Sequence, residues 1–263
     1  MSDTSESESG KNSRSAKKTG VLWVGVALIA VFCLGSFENT TANGDFFARL
    51  LRFSKRAFPP DFHILPELVG PFFETARIAV SATFFAVTVS FVWAFLASRH
   101  YPLPMIRLPL RVLANAIRSV PSLAWAVVSV AVLGAGPLAG AVALTIYSTG
   151  YLAKFFTDSL DSVNPDLKTA LRDNGASVVQ AFAHGIWPSV RSQLLSHALW
   201  MLEYNLRAST VIGYVGAGGI GLRLHVYQEF GQWQRFSAVL ICIFVIVMIL
   251  DFFGSWARRQ TAG

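Results

Sequence analysis

Long apolar segments separated by shorter polar stretches run through most of the sequence. A helix that crosses the hydrocarbon core of a bilayer needs about 20 mostly apolar residues. Six segments come close to this length, and each is predicted to form a transmembrane helix. Their predicted bounds are residues 21–37, 74–97, 112–133, 138–156, 194–215 and 236–254. The pattern therefore predicts an all-α membrane protein of about six transmembrane helices.

The composition fits a membrane protein and argues against an ordinary soluble domain. Hydrophobic residues make up 53% of the chain and charged residues 14%, against about 45–50% and about 25% in soluble domains. A net charge of +7 would suggest a nucleic-acid partner if the protein were soluble. Here the lysines and arginines lie between apolar segments, as membrane orientation requires, and no nucleic-acid partner is expected.

The distribution of positive charge predicts the orientation of the helices. Most lysines and arginines outside the apolar segments lie in the N-terminal tail, in residues 98–111 and 154–191, and at the C-terminal end. Cytoplasmic segments carry such an excess, so both termini of this multi-pass protein are expected in the cytoplasm. The basic run from Arg49 to Arg56 on the other side is the exception. Its interleaved apolar residues suit either an amphipathic helix on the membrane surface or a solvated loop.

Three regions follow from these patterns. Residues 1–18, which are rich in Ser, Lys and Glu, are predicted to be a disordered cytoplasmic tail. Residues 19–70 are predicted to hold the first transmembrane helix and an external amphipathic segment. Residues 71–256 are predicted to form the membrane core, with a polar cytoplasmic loop at 164–188.

The cytoplasmic loop carries clear signals for the start and the end of a short helix. Asn164 is a good N-cap, Pro165 suits the first helical position, and Asp166 puts an acid in the first turn. Gly175 can adopt the left-handed conformation that ends a helix. These signals predict a helix over 165–173.

A second short helix is predicted to begin near Ser177 and to end before Pro188. The bend between the two helices holds the small residues Ala170, Gly175 and Ala176. Small side chains allow the surface of another protein to approach closely. The loop is therefore a candidate contact site for a cytoplasmic partner.

The loop resembles the cytoplasmic signature of bacterial ABC importer permeases. That signature reads Glu-Ala-Ala, three residues, Gly, and then Ile-x-Leu-Pro at a fixed distance, which Ala170, Gly175 and Pro188 match. In the family this loop is a coupling helix that docks into a groove of the ATPase subunit; an ordinary cytoplasmic loop is the alternative. The coupling residues that the resemblance implies are Thr169, Ala170, Leu171, Gly175, Ala176 and Pro188.

The match to this signature is partial. Thr169 occupies the position of the family's Glu, Leu171 that of its second Ala, and Trp187 that of the Leu before the proline. Because Thr169 replaces the acidic residue of the family, the exact contact that this position makes with the ATPase stays open.

Longer stretches resemble phosphonate importer permeases and are more specific than the loop signature. They are Arg207–Gly221, Ile117–Ser122, Leu133–Gly140 and Thr149–Lys154. Their order and spacing fit across about 70–256. The resemblance implies a type I, MetI-like permease that imports phosphonate, phosphite or a phosphate ester.

The same resemblance implies an assembly in a bacterial inner or plasma membrane. Two copies of the chain would form a homodimer in the lipid bilayer, although a different permease chain could replace the second copy. Two separate ATPase subunits would bind ATP and Mg on the cytoplasmic side. A periplasmic or extracellular substrate-binding protein would dock outside. This chain itself would carry no cofactor and no catalytic site.

The glycine-rich end of the fifth segment fits the pattern G-x-G-x-x-G of dinucleotide sites. That fingerprint needs a soluble strand before it and an acid about 20 residues later, but the residue there is Ile241. A sharp re-entrant bend is the better interpretation. It makes Gly216, Gly218, Gly219 and Gly221 candidates for a gate or for contact with the binding protein; a purely structural turn is the alternative.

Charged residues inside the predicted helices are candidates for the substrate path. Glu203 and Arg207 are four residues apart, so they lie on one helical face. They are either a structural ion pair or a means of attracting an anion along the pore, which an arginine fork would bind well. Arg118, ahead of a helix kink expected at Pro121, is a similar candidate. Asp251 is expected near the inner surface without a special role.

Two other functions are consistent with parts of the pattern. A permease of the same superfamily could carry another solute, such as an amino acid. A membrane-embedded enzyme acting on lipid phosphates would need clustered catalytic residues at one membrane face, and the sequence offers none. No metal-ligand spacing is found among the histidines, which are His63, His100, His184, His197 and His225.

Overall fold

The computed structural model describes residues 46–100 and 104–261, and these ranges contain helices and turns but no strand. The all-α prediction is therefore confirmed. The helices are α1 Phe46–Ala57, α2 Leu65–Ala97, α3 Pro104–Ser119, α4 Ser122–Leu133, α5 Pro137–Asp161, α6 Pro165–Asp173, α7 Val178–Ala181, α8 Trp187–Ile212, α9 Ile220–Glu229 and α10 Trp233–Thr261. Wider π-helical turns join α7 to α8 and follow α8, at Phe182–Ile186 and Gly213–Ala217.

The chain divides into two units, residues 1–55 and 56–263. The predicted cytoplasmic tail and the first predicted transmembrane helix, 21–37, lie outside the described residues. The basic run predicted as either a helix or a loop is helical and belongs to α1. Its apolar residues and its basic residues occupy opposite sides of the helix, as in amphipathic helices at membrane surfaces.

Two helical segments are long and apolar enough to cross a membrane, Phe62–Ala97 and Trp233–Phe252. The bent pair α3 and α4 would make a third if it forms one span. Helices α5 and α8 are also long, at 25 and 26 residues, but they carry more polar side chains. Much of that polarity is buried between helices, where lipid does not reach. The total of six spans stays a prediction.

Small side chains let α2 and α5 approach closely along most of their length. On α2, Ala79, Ala82, Ala86 and Ala94 are fully buried. Van der Waals packing of small residues drives helix association in a bilayer, because burial from lipid gives no hydrophobic gain. The hydroxyl of Ser90 on α2 donates a hydrogen bond across this interface to the carbonyl of Thr149 on α5.

A buried amide links the three central helices. Asn205 of α8 is fully buried; its Nδ2 donates to the hydroxyl of Thr83 on α2, and its Oδ1 accepts from the hydroxyl of Ser148 on α5. Both distances are 2.9 Å. These bonds set the register of α2, α5 and α8 in an interior that offers no water as a substitute partner.

A cluster around Asp161 joins the C-terminal ends of α2 and α5 to the middle of α3. The Asp161 carboxylate accepts from the backbone N–H of Arg99 at 2.8 Å and from the guanidinium of Arg111. Arg111 also donates to the carbonyl of Ala97, at 3.1 and 3.2 Å. The cluster satisfies the last carbonyls of α2 and anchors α3 beside it.

The third predicted segment, 112–133, is not one continuous helix. Helix α3 ends at Ser119, α4 begins at Ser122, and the two are bent by 88°. Pro121 lacks an N–H and disfavours helical geometry in the preceding residue, so the helix breaks where only a kink was expected. The indole of Trp125 donates to the carbonyl of Ile117 at 3.2 Å and bridges the break.

The second short helix of the cytoplasmic loop does not end before Pro188. The chain is helical from α7 through the π-helical turn into α8, and Pro188 lies in the first turn of α8. A proline within a continuous helix removes one backbone hydrogen bond, and the π-helical turn directly before it is where the regular α-helical bonding is interrupted. Helix α8 accordingly begins at Trp187, well before the expected start at Leu194.

The chain folds back sharply after α8. Gly216, Gly218 and Gly219 have φ values of 93°, 83° and 73°, which only glycine adopts without strain. The returning chain is held by α2, because Glu74 Oε1 accepts from the N–H of Gly219 at 3.1 Å and Thr75 Oγ1 accepts from Ile220 at 2.8 Å. The sharp bend predicted from the glycines is thus present.

Loss of the Asn205 amide should destabilise the helix core. Asn205→Ala leaves the buried hydroxyl of Ser148 without its acceptor, which costs about 1–3 kcal/mol. The thermal unfolding midpoint of the detergent-solubilised protein should fall by several degrees. In the control, Thr88→Ala, an exposed hydroxyl bonded only within α2 is removed, and the midpoint should stay near wild type. Equal midpoints for both variants would contradict the central role of Asn205.

A side chain at Gly221 should prevent the chain from folding back after α8. A Cβ at Gly221 would lie 1.9 Å from the carbonyl oxygen of Thr210, so the backbone must move. Gly221→Ala should therefore lower the unfolding midpoint and the yield of folded protein. Gly70→Ala is the matched control, because a Cβ there meets nothing within 4 Å and alanine favours the helix. A Gly221→Ala protein as stable as Gly70→Ala would show that the close packing is not required.

Candidate functional site

The cytoplasmic loop forms the short helix α6 as predicted. Its N-cap is Asn164, whose side chain accepts from the N–H of Asp166 at 2.9 Å. Its end is closed by Gly175, at a φ of 87°. The helix is thus set by local signals at both ends, independently of the membrane core.

The predicted coupling residues fall into two groups. Thr169, Ala170 and Gly175 are exposed, and a Cβ at Gly175 would meet nothing within 4 Å. Leu171 is half-buried and packs inward, since a Cβ on Gly185 would lie 2.6 Å from its Cδ1. The first group can touch a partner, whereas Leu171 packs α6 against the π-helical turn that leads into α8. Ala176 is half-buried beside this contact.

Pro188 lies beside a cavity of about 760 Å³ between α2 and α8. The ring of Trp187 packs edge-on against Phe91 at 5.8 Å, and Arg191 lies on the same lining. Pro188 is exposed, so it is accessible from outside the chain. Pro188 therefore belongs to the entry of α8, whereas the exposed small residues lie on and just after α6.

The predicted pair of Glu203 and Arg207 forms an ion pair with an N–O distance of 3.5 Å. Arg207 also pairs with Asp251 of α10 at 3.4 Å. Asp251, for which no special role was expected, thus takes part in an ion pair. It could not be read from the sequence, because α10 is remote in the chain and only packing brings it beside α8. Two carboxylates offset the single positive charge of Arg207.

Arg118 lies at the end of α3, next to the break before α4. Its guanidinium carbon is 5.6 Å from the ring centroid of Tyr151 on α5. The ring of Tyr147 continues this contact, and Tyr204 of α8 stacks on Tyr147. Sequence reasoning missed the tyrosines, although the spacing of Tyr147 and Tyr151 indicates one helical face.

The structure brings together the four glycines predicted for a gate or a docking site. Gly218, Gly219 and Gly221 are buried and Gly216 is half-buried, so little of their own surface faces outward. They act by allowing close approach of α8, α9 and α2. Glu74, which holds the bend, was missed because the sequence shows it only as the edge of an apolar segment.

Sequence comparisons agree with this organisation. The family model described as "Binding-protein-dependent transport system inner membrane component" matches residues 86–262. The phosphite transport system permease protein PtxC of Stutzerimonas stutzeri is 37% identical over 238 residues, which are 90% of this chain and 86% of that protein. The phosphate-import permease protein PhnE of Mycolicibacterium smegmatis is 35% identical over 207 residues, 78% of this chain but only 39% of that protein.

Solved structures share the fold at low sequence identity. An inward-facing structure of the MetNI methionine ABC transporter has a TM-score of 0.65 at 22% identity, over 76% of this chain and 99% of that chain. A bacterial alginate ABC transporter in complex with a periplasmic protein has a TM-score of 0.60 at 12% identity, over 93% and 97%. These similarities concern the fold alone.

The family match covers most of the described core, including the cytoplasmic loop, the broken helix pair and the glycine bend. The relatives that match along the chain are permeases. The protein belongs to the family of inner membrane components of binding-protein-dependent transport systems and is the permease subunit of an ABC importer.

Proposed function

We propose that this permease imports phosphonate or a related phosphorus oxyanion. The observation that carries the proposal is the 37% identity to a phosphite permease over 90% of the chain. A second relative, whose name assigns it to phosphate import, agrees in substrate chemistry. Phosphite, phosphate and phosphonate are all anions with several acceptor oxygens on phosphorus. Related permeases can therefore carry them through translocation paths of the same chemistry.

We infer that movement is driven from outside the bilayer by alternating access. Two ATPase subunits, each with ATP and Mg, would dock on the exposed surface of α6 around Thr169, Ala170 and Gly175. Their closure would draw the paired α6 helices inward. Leu171 supports this transmission, because its packing on Gly185 couples α6 to the entry of α8. The permease supplies the path, and hydrolysis takes place on the partner.

The remaining partners are part of the same proposal. Two copies of this chain would form the path, with both termini in the cytoplasm. A substrate-binding protein would dock on the outer side near 216–235. The positive φ values at the glycine bend support a defined shape for that surface. A permease for an amino acid is the second candidate, favoured only by the fold that the chain shares with the methionine transporter.

Substrate class can be decided by uptake into proteoliposomes that contain the permease with its native ATPase and binding protein. Labelled methylphosphonate, phosphite or phosphate should accumulate in an ATP-dependent manner, and an excess of another phosphorus oxyanion should compete. Vesicles given a non-hydrolysable ATP analogue are the control. Accumulation of labelled methionine that phosphonate does not reduce would show that the amino-acid alternative is correct.

ATPase docking can be examined at Gly175, where a new side chain points into open space. Gly175→Ala and Gly175→Arg share the backbone strain of the left-handed conformation, about 1–2 kcal/mol, but only arginine adds bulk. The tagged permease with Gly175→Arg should bring down at least about tenfold less ATP hydrolysis activity, since a blocked contact of about 1.4 kcal/mol already gives this factor. Gly175→Ala should stay near wild type. Equal loss in both variants would assign the effect to strain and contradict docking at this position.

A further inference from the structure

We propose that five residues around the break between α3 and α4 form the site in the membrane that binds the oxyanion during transport. They are called the arginine–tyrosine cluster and comprise Arg118, Ser122, Tyr147, Tyr151 and Tyr204. This inference rests on the proposed import of a phosphorus oxyanion and names the residues that contact it.

The cluster is continuous through four helices. The guanidinium carbon of Arg118 lies 5.6 Å from the ring centroid of Tyr151, and the rings of Tyr151 and Tyr147 are 4.9 Å apart. Tyr147 stacks on Tyr204 at 5.3 Å, and the Tyr204 hydroxyl is 3.3 Å from that of Ser122. Arg118 and Ser122 flank the break, so two polar groups from α3 and α4 meet three tyrosines, two from α5 and one from α8.

The cluster lies near the middle of the helix bundle. A Cβ added to Gly150 would lie 3.1 Å from the backbone nitrogen of Arg118, so the end of α3 packs closely against α5 at Gly150. Gly150 is close to the centre of α5, a helix of 25 residues that is about 37 Å long at a rise of about 1.5 Å per residue. Broken helices at this depth are tolerated where the backbone is buried in protein or lines water, and they form substrate sites in other transporters.

The cluster is accessible to a ligand. Arg118, Ser122, Tyr151 and Tyr204 are half-buried, while Tyr147 is buried and supports the two neighbouring rings. An arginine at mid-membrane depth is costly in contact with lipid tails. The exposed side of the cluster therefore faces water or a second copy of the chain, as the wall of a translocation path must.

Charge distinguishes the surroundings of Arg118 from those of Arg207. Arg207 is paired with two carboxylates, from Glu203 and Asp251, and an incoming anion would be repelled by both. For Arg118, no ion pair with a carboxylate is found in residues 46–100 or 104–261. Its positive charge is consequently available to a diffusing anion.

The donor groups suit a tetrahedral oxyanion. The planar guanidinium can donate two parallel hydrogen bonds to two oxygens of a phosphonate or phosphate group. The hydroxyl of Tyr151, beside the guanidinium, and the hydroxyls of Ser122 and Tyr204, which lie 3.3 Å apart, supply further donors along the cluster. Stacking on Tyr151 holds the guanidinium in a fixed orientation. A carboxylate substrate could use the fork but offers only two oxygens, so the full set favours the phosphorus oxyanion.

The test uses the complete importer with its native ATPase and binding protein in proteoliposomes. Uptake of labelled methylphosphonate, phosphite and phosphate is measured together with the ATP hydrolysis that the loaded binding protein stimulates. Arg118→Gln should lower uptake at least about tenfold, as expected for loss of a charge-assisted hydrogen bond. Stimulated ATP hydrolysis should stay within about twofold of wild type, since the coupling loop is unchanged. Arg118→Lys, which keeps the charge and loses the fork, should be intermediate.

Two further variants separate binding from folding. Tyr204→Phe keeps the stacked ring and removes one hydroxyl, so it should raise the KM for uptake with little change in the thermal unfolding midpoint. Lys154→Gln removes a positive charge from the same helix as Tyr151, where Lys154 pairs with Asp158 at 2.7 Å, and uptake by this variant should stay within about twofold of wild type.

Uptake by Arg118→Gln at the wild-type rate, or equal losses in Arg118→Gln and Lys154→Gln, would overturn the inference while leaving the proposed function intact. A wild-type importer that moves no phosphorus oxyanion would overturn both.

Discussion

The arrangement of the core depends on the hydrogen bonds that the buried amide of Asn205 makes with α2 and α5. Burial against lipid gives helices no hydrophobic reason to associate, so close packing and interhelical hydrogen bonds must supply the specificity. The alanines along α2 allow the backbones to approach, but small side chains alone would tolerate sliding of one helix along another. The paired hydroxyls of Thr83 and Ser148 remove that freedom, because any shift would leave polar groups unpaired in a dry interior.

This fixed core determines where the moving and binding parts can lie. Helix α5 carries Ser148 toward Asn205 and, on neighbouring turns, Tyr147 and Tyr151 toward the break between α3 and α4. Helix α8 carries Asn205 and Tyr204 in the same way, and its other end continues into the loop that holds α6. A displacement of α6 therefore acts on the helix that also carries part of the arginine–tyrosine cluster. This connection is a physical route by which events in the cytoplasm can alter the translocation path.

Arg207 and Arg118 differ in the groups that surround their positive charge. At Arg207, carboxylates from α8 and α10 compensate the guanidinium, which joins two helices and leaves little attraction for an anion. At Arg118 the guanidinium lies over the ring of Tyr151, which holds it in place without cancelling its charge. The first arrangement stabilises the structure, and the second is suited to transient binding of an anion.

Local signals in the sequence determined the helical class, the apolar segments, the short helix 165–173 and the bend at the glycines. Each depends on neighbouring residues: an N-cap, a proline, a run of apolar side chains, or a glycine that can take a positive φ. Pro121 marks a weak point in the segment 112–133, but only tertiary structure decided that the chain bends there by 88°, that Asp251 joins Arg207, and that Tyr151 lies beside Arg118. These outcomes depend on contacts between residues far apart in the chain, and the helical period of one segment carries no information about which face of another segment it meets.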